Sequence, residues 1–288
     1  MKIEVATNAP PLSSTRGITW NACKITYISH RPEAKPSPKA PRCGAGVSHQ
    51  LIRKLENFAP LSEWSKEAPQ QLPHTLHMIG PGTDIIRKGD EPKYINLVLS
   101  GWACRYNQLD NSRRHIMSLF VPGDVCDAHA FLLQKMDHSI GALTAVRFAE
   151  VPSDAFVDLL DGHPQIARAF SCDSLVQIAV QREATVSLGR RSGEERMAHL
   201  FCEMFLRLRA VGLTDGDTCP MPLSQVELAS ALGQSTVHIN RTLQALRASR
   251  VIVLKGRRLT ILDFDALQKV ALFNPSYLHL DHKRNATA

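Results

Sequence analysis

The stretch LSQVELASALGQSTVHINRTLQALR, residues 223–247, decides how the rest of the chain is read. Ser224 is followed three residues later by Glu227, the spacing of a capping box, so a helix is expected to begin at Gln225. Leu228 and Leu232 share one face of it. Gly233 ends it, because glycine takes the left-handed backbone of a sharp helix end at low cost. Ser235 caps a second helix, with Val237, Ile239, Leu243 and Leu246 as its apolar positions. Ala229 is small where the two helices would cross. These are the marks of a helix-turn-helix, whose second helix lies in the major groove of DNA. An ordinary helical hairpin is the plainer alternative.

The next segment, VIVLKGRRLTIL at residues 251–262, weakens that alternative. Ile252 and Leu254 alternate against Leu259 and Ile261 around Lys255-Gly256-Arg257-Arg258, which reads as a hairpin with three cations at its tip. Such a hairpin directly after a helix-turn-helix is a wing placed to touch phosphates. Near the N-terminal end of the second helix, Thr236, Val237, Asn240 and Arg241 are expected to reach base edges. Arginine can clasp guanine O6 and N7, and valine or threonine methyls can meet a thymine methyl. Val237 as a core residue and His238 as either a phosphate contact or a cap on a neighbour stay open. Ser224 and Gln225 are expected phosphate contacts through side chains and helix N-terminal N–H groups, and Ser235 is a further DNA-binding candidate.

Charge supports the same reading. The chain has 288 residues, a formal net charge of +7, 44% hydrophobic and 21% charged side chains. Residues 1–46 carry seven basic and two acidic groups, residues 47–223 carry 18 basic and 21 acidic, and residues 224–262 carry six basic and one acidic. A basic module on a mildly acidic body is the footprint of nucleic-acid binding. The length suggests about two domains. No apolar run approaches the ~18 residues of a membrane span, so a soluble cytoplasmic protein without membrane partners is expected. Seven scattered cysteines in a chain of this size point to reduced thiols.

Residues 1–46, with RPEAKPSPKAPRCGAG, read as a disordered basic extension or as the product of a start codon set too far upstream. Residues 47–163 read as a sensor domain: a helical lead-in with Ser62 as a cap, then short apolar runs separated by glycines, which suit a β-roll. Residues 164–189 form a long helix, with Leu175, Val176, Ile178, Ala179 and Val186 as a seam. The segment GRRSGEE breaks it, and a helix over Glu195 to Arg209 opens a DNA-binding domain at residues 190–275. Residues 276–288 are a tail.

A glycine-punctuated roll, a long helix and a winged helix-turn-helix, in that order, resemble the Crp/Fnr family of bacterial transcription regulators. The resemblance covers about residues 50–272, and VLSG at 98–101, PGD at 122–124, ERMAHL at 195–200 and LGQSTVHINRTLQALR carry it. It implies an α+β fold with a cyclic-nucleotide-binding-like roll, a homodimer joined through the long helix, a two-fold symmetric operator on double-stranded DNA, and RNA polymerase as a further partner. It also implies a hinge near Arg190–Glu194.

In that family a roll can hold a cyclic nucleotide through a Gly-Glu pair and, ten residues on, an Arg-Ser pair. Here those positions read Asp127, Ala128, His138 and Ser139, and Gln181 and Arg182 on the long helix are further candidates for the effector pocket. Losing the arginine removes a bidentate contact, and Asp127 would face the phosphate's own charge, so cyclic AMP is not expected. The family's oxygen-sensing branch holds an iron–sulfur centre on clustered cysteines; Cys23, Cys43, Cys104 and Cys126 lack that tight spacing. Cys126, His129 and His138 are weak metal candidates, and Cys104 and Cys126 weak redox candidates, so no cofactor is expected. The recognition helix carries Val237 where the better-known branches carry a glutamate, while Arg241 keeps the arginine four residues on. No Gly-rich phosphate loop, nucleophile elbow or His-Glu-x-x-His pattern points to an enzyme. A small-molecule-binding module acting through protein partners, and a metal- or redox-responsive regulator, stand as alternatives.

Overall fold

Repeated glycines between short apolar runs weaken a helix and favour turns, and between Thr75 and Pro152 the chain folds into strands. The computed structural model describes residues 49–109 and 113–280. The expected N-terminal extension, Cys23, Cys43 and most of the C-terminal tail lie outside the described residues. A lead-in of α1 (His49–Leu55) and α2 (Glu63–Glu67) comes first, and the Ser62 side chain accepts from the Ser65 backbone N–H as the expected cap. A 3-10 turn at Ala68–Gln71 follows.

The roll then runs through β1 (Thr75–Ile79), β2 (Asp84–Ile86), β3 (Tyr94–Ser100), β4 (Ala103–Gln108), β5 (Arg114–Phe120), β6 (Val125–Cys126), β7 (Ser139–Ala142) and β8 (Val146–Pro152). Two antiparallel sheets result, in the orders β1-β8-β3-β6 and β2-β7-β4-β5. Val98, Phe148 and Cys126 of the first meet Phe120, Ile140 and Ala103 of the second in one buried cluster. Successive residues point to opposite faces, and Ile95, Leu97, Ala149 and Val151 pack in the main core instead, so β3 is buried on both faces from Ile95 to Val98.

Past the roll come α3 (Ser153–Gly162), α4 (Pro164–Arg190) and α5 (Gly193–Ala210). Pro164 sits in the first turn of α4, where its missing N–H is harmless. α5 begins two residues earlier than the sequence suggested. Ser192 and Glu195 form a capping box of their own, with the Ser192 N–H donating to Glu195 Oε2 at 2.6 Å and the Glu195 N–H to Ser192 Oγ at 3.3 Å.

The C-terminal module comprises β9 (Thr218–Pro220), α6 (Gln225–Leu232), α7 (Thr236–Ala248), β10 (Ile252–Lys255), β11 (Arg258–Ile261), α8 (Phe264–Ala271) and a 3-10 turn at Pro275–Leu278. Its sheet has the order β10-β11-β9, and its helices pack on α5 through Phe201, Phe205, Ile239, Leu243 and Leu267.

Roll and module are held together by buried charge. Lys54 of α1 pairs with Asp124 at 2.9 Å and with Asp173 of α4 at 2.7 Å. Arg207 of α5 donates to Asp124 at 3.1 Å and to the Leu119 carbonyl at 2.8 Å. Burial alone would raise the Asp124 pKa, but the charges of Lys54 and Arg207 outweigh it and hold the carboxyl below its ordinary range. Truncating any one member leaves a buried uncompensated charge, at a cost of about 3–5 kcal/mol.

Candidate nucleic-acid interface

α6 and α7 form as their caps dictate. The Ser224 N–H donates to Glu227 Oε2 at 2.6 Å and the Glu227 N–H to Ser224 Oγ at 3.2 Å. Gly233 has φ 63°, the left-handed end that stops α6. The Ser235 hydroxyl accepts from the His238 N–H at 3.2 Å and starts α7. On the buried side of α7 are Ile239, Thr242, Leu243 and Leu246. On the other side Thr236, Val237, His238, Asn240, Arg241 and Gln244 are exposed. Val237 is 62% exposed, which excludes the core role that the sequence left open. Most of its side chain is in solvent on the same side as Asn240 and Arg241. Positions 237, 240, 241 and 244 are three, four and seven apart, so they share one helix face. Gln244 completes that face and was missed from the sequence; its i+7 spacing from Val237 was the available signal.

Beside it stands the wing. β10 pairs with β11 in the expected register, Ile252 with Ile261 and Leu254 with Leu259. Gly256 and Arg257 have φ 59° and 61°, the two left-handed residues of a tight hairpin whose twist matches its strands. Lys255, Arg257 and Arg258 are all exposed around the tip. Arg258 lies 3.9 Å from the exposed Asp215 carboxylate, too loosely paired to cancel its charge.

His238 has a further position. A Cβ at Gly193 would come within 2.3 Å of His238 Nε2 and 2.6 Å of Gln234 Nε2, so a side chain at the start of α5 would require the ends of those two side chains to move aside. Arg196 fixes the turn from the other side by donating to the Leu232 carbonyl at 2.9 Å. Ser230 of α6 donates to the Arg114 carbonyl of β5 at 2.8 Å, which brings the first helix of the pair directly onto the roll.

The roll holds a cavity of about 600 Å³ lined by Asp127, Ala128, His138 and Gln181 among others. Two expected members are not part of its lining. Ser139 accepts from the Lys88 N–H instead, and Arg182 is exposed on α4. At the cavity wall is an ion cluster that the sequence did not reveal. Asp127 pairs with Arg105 of β4, and His138 Nε2 donates to Asp127 Oδ2 at 2.8 Å. Burial pushes the Asp127 pKa upward, but the hydrogen bond from His138 and the charge of Arg105 prevail and lower it. Burial depresses His138, and Asp127 overrides this and raises it. Asp127 also has φ 55°, an uncommon backbone for a non-glycine residue.

The metal candidates are not brought together. Among the described residues no group of three or more His, Cys, Asp or Glu side chains is placed to hold a metal ion. His138 is engaged by Asp127, His129 lies against Phe131, and Cys126 is buried. Burial pushes the Cys104 thiol up to about 11 and the Cys126 thiol well above its ordinary value, the setting of an unreactive thiol.

Residues 77–163 match the family model of the cyclic nucleotide-binding domain, and residues 195–270 match that of the Crp-like helix-turn-helix domain. The chain belongs to the Crp/Fnr family of transcription regulators. It is 29% identical over 171 residues to the nitrogen fixation regulation protein FixK of Bradyrhizobium diazoefficiens, covering 58% of this chain and 69% of that protein. It is 25% identical over 194 residues to the transcriptional activator protein FnrL of Cereibacter sphaeroides, covering 66% and 77%. The solved structure of FixK2 from Bradyrhizobium japonicum shares the fold, with a TM-score of 0.61 at 20% identity over 69% of this chain and 98% of that one.

Proposed function

We propose that the chain acts as a homodimer on a two-fold symmetric operator, reading bases with the exposed face of α7 and phosphates with the wing. The observation that carries this is the joint exposure of Thr236, Val237, Asn240 and Arg241 next to Lys255, Arg257 and Arg258. Ser224, Gln225 and Ser235, also exposed, lie at the helix N-termini where backbone N–H groups favour phosphate. His238, also exposed, lies next to Gly193 at the start of α5.

Support for the dimer comes from α4. Leu175, Ile178, Val186 and Leu188 are 61%, 51%, 46% and 42% exposed along it, and Arg182 lies four residues from both Ile178 and Val186. Val176, expected in the same seam, is buried within the chain's own core instead. Each is already about half buried, so covering the remainder by a second copy is worth roughly 1 kcal/mol apiece. Half-sites about one helical turn apart, roughly 34 Å, follow from the symmetry. The chain works by binding and not by catalysis, in the cytoplasm, with RNA polymerase as a further partner; relatives named as activators support that last reading. No helix of the described residues is long and apolar enough to cross a membrane.

Cyclic nucleotide is not the signal in this reading. Arg105 and His138 already share the Asp127 carboxylate, and a phosphate would have to displace it. Selection of duplexes from a random pool tests the proposal. It should return an inverted repeat, and Arg241→Ala should lose about 1–3 kcal/mol at one base position per half-site. Selection that returns no repeat, or one unchanged by Arg241→Ala, overturns it.

A further inference from the structure

Two extended residues, Arg191 and Ser192, join α4 to α5, so backbone connectivity alone does not fix the module against the roll. A segment near the other end of the chain crosses this joint. α8 belongs to the module, with Phe264 packed on Phe205 of α5 at 5.6 Å between ring centroids. Residues 272–280 then leave the module and return to α4, against which the 3-10 turn Pro275–Leu278 packs.

This strap is anchored at three places. Beside the joint, Arg191 Nη2 donates to the Leu272 carbonyl at 3.4 Å while pairing with Glu183 of α4 at 3.1 Å. Midway, Phe273 meets the His199 ring edge-on at 4.9 Å, and the Tyr277 hydroxyl donates to Glu203 Oε2 at 2.8 Å. At its end Leu278, 1% exposed, and Leu280 border a space of about 30 Å³ with Phe58, Val176 and Val180. Lys54, Asp124, Asp173 and Arg207 border the same space, so the two leucines cover the ion network that ties α5 to the roll and α4. A space of that size has room for little more than a water molecule. Such pairs are strong only where water is kept away; wetted, they are weaker and are screened by salt.

The strap also carries strain at both ends. Leu272 has φ 48° and His279 φ 49°, left-handed positions that side chains of these types seldom take. Positions of this kind persist only while the surrounding contacts hold them, so the strap is biased toward release in a way that the cores of roll and module are not.

We propose that residues 272–280 are a releasable clasp across the α4–α5 joint, whose leucines keep water from the ion network that bolts the module to the roll. Closed, the clasp holds one placement in which α7 and the wing are uncovered. Open, it wets the network and leaves the module fewer contacts to hold it, so other placements become populated. In a dimer two modules must meet two half-sites at a fixed separation, and looser modules meet them at a lower effective concentration. That consequence rests on the DNA-binding reading above; the clasp does not.

Arg190 and Arg191 make the joint itself a trypsin site. Brief digestion of the full chain, with mass spectrometry of the first fragments, reads how often the joint opens. Removing a fully buried leucine side chain shifts a local equilibrium by roughly thirtyfold or more, so Leu278→Ala should be cut at the joint at least about tenfold faster. Sites inside the roll and the module should stay protected. The variant's rate, normalised to a peptide substrate, should rise between about 0.1 and 1 M salt, and the wild-type rate should not. Where Leu278→Ala does not fold, the partly exposed Leu280→Ala gives the same comparison. Unchanged cutting at the joint, or cutting spread evenly over all sites, overturns the clasp. A variant rate indifferent to salt overturns the shielding of the ion network. On duplexes, the variant should lose about fivefold or more on a selected inverted repeat and little on one half of it. Equal affinity of variant and wild type for the repeat overturns the clasp's part in DNA reading. A chain that selects no repeat defeats the DNA-binding reading instead, and the trypsin arm still decides the clasp.

Discussion

Removing the wing's arginine charges should change how binding responds to salt more than how it responds to sequence. Arg257 and Arg258 are exposed, and the only nearby carboxylate among the described residues with which either pairs is Asp215, 3.9 Å from Arg258. Arg257 occupies the left-handed region at φ 61°, where asparagine is tolerated and alanine is strained, so Arg257→Asn with Arg258→Gln removes charge and leaves the hairpin intact. Each phosphate neutralised contributes about 0.9 to the slope of log affinity against log salt, so two arginines account for about 1.8 per wing and about 3.6 for a dimer with both wings engaged. Between about 50 and 200 mM salt, the gap between wild type and variant then narrows roughly a hundredfold for the dimer and about tenfold for a single wing. Fluorescence anisotropy on a non-specific duplex measures this, because the phosphate contribution does not depend on sequence. Equal slopes for folded wild type and variant would refute the wing's contact with phosphate, and a change near 1.8 would refute symmetric engagement.

Three further outcomes are expected. Leu175→Glu with Ile178→Glu should convert the dimer to monomer in sedimentation velocity, since both side chains are more than half exposed on α4; an unchanged sedimentation coefficient would exclude that face. Asp127→Asn should free Arg105 and His138 for an external anion, so that inorganic phosphate raises the melting temperature of the variant and not of wild type; equal responses would show that Asp127 does not occupy the anion seat. His199 titrates at about 4 in the folded chain against an ordinary value near 6.5, so the stability its neutral ring contributes is full above that range and is lost as pH falls toward 4. The loss between pH 7 and 5 amounts to about 2 kcal/mol. Urea unfolding at the two pH values should show a drop smaller by about that amount in His199→Phe, and an equal drop in both proteins would refute the assignment.

The local devices were legible from the chain alone. Ser224 with Glu227, Ser235, Gly233 and the Gly256–Arg257 turn each act over four residues or fewer, so their chemistry is written in adjacent letters. The same pattern at Ser192 with Glu195 was present and overlooked, which displaced the start of α5 by two residues. The roll was legible only as a succession of turns and short runs. Its pairing could not be read, because register depends on which distant strands share a core.

The interface and the pockets divide along the same line. Spacing alone put Thr236, Val237, Asn240 and Arg241 on a helix, but only packing left Val237 in solvent and buried Ile239 beside it. Arg105 meets Asp127 across 22 positions, Lys54 meets Asp173 across 119, and Arg207 meets Asp124 across 83. No periodicity encodes such pairs; strand order and helix docking create them after collapse. Nor could the sequence tell that Ser139 turns to Lys88 or that Arg182 faces outward. Amino-acid order determined the caps, the turns, the basic face and hence the DNA-reading module. The ion cluster at the roll cavity was decided by three-dimensional packing, because burial and ion pairing depend on neighbours that the chain's order does not name.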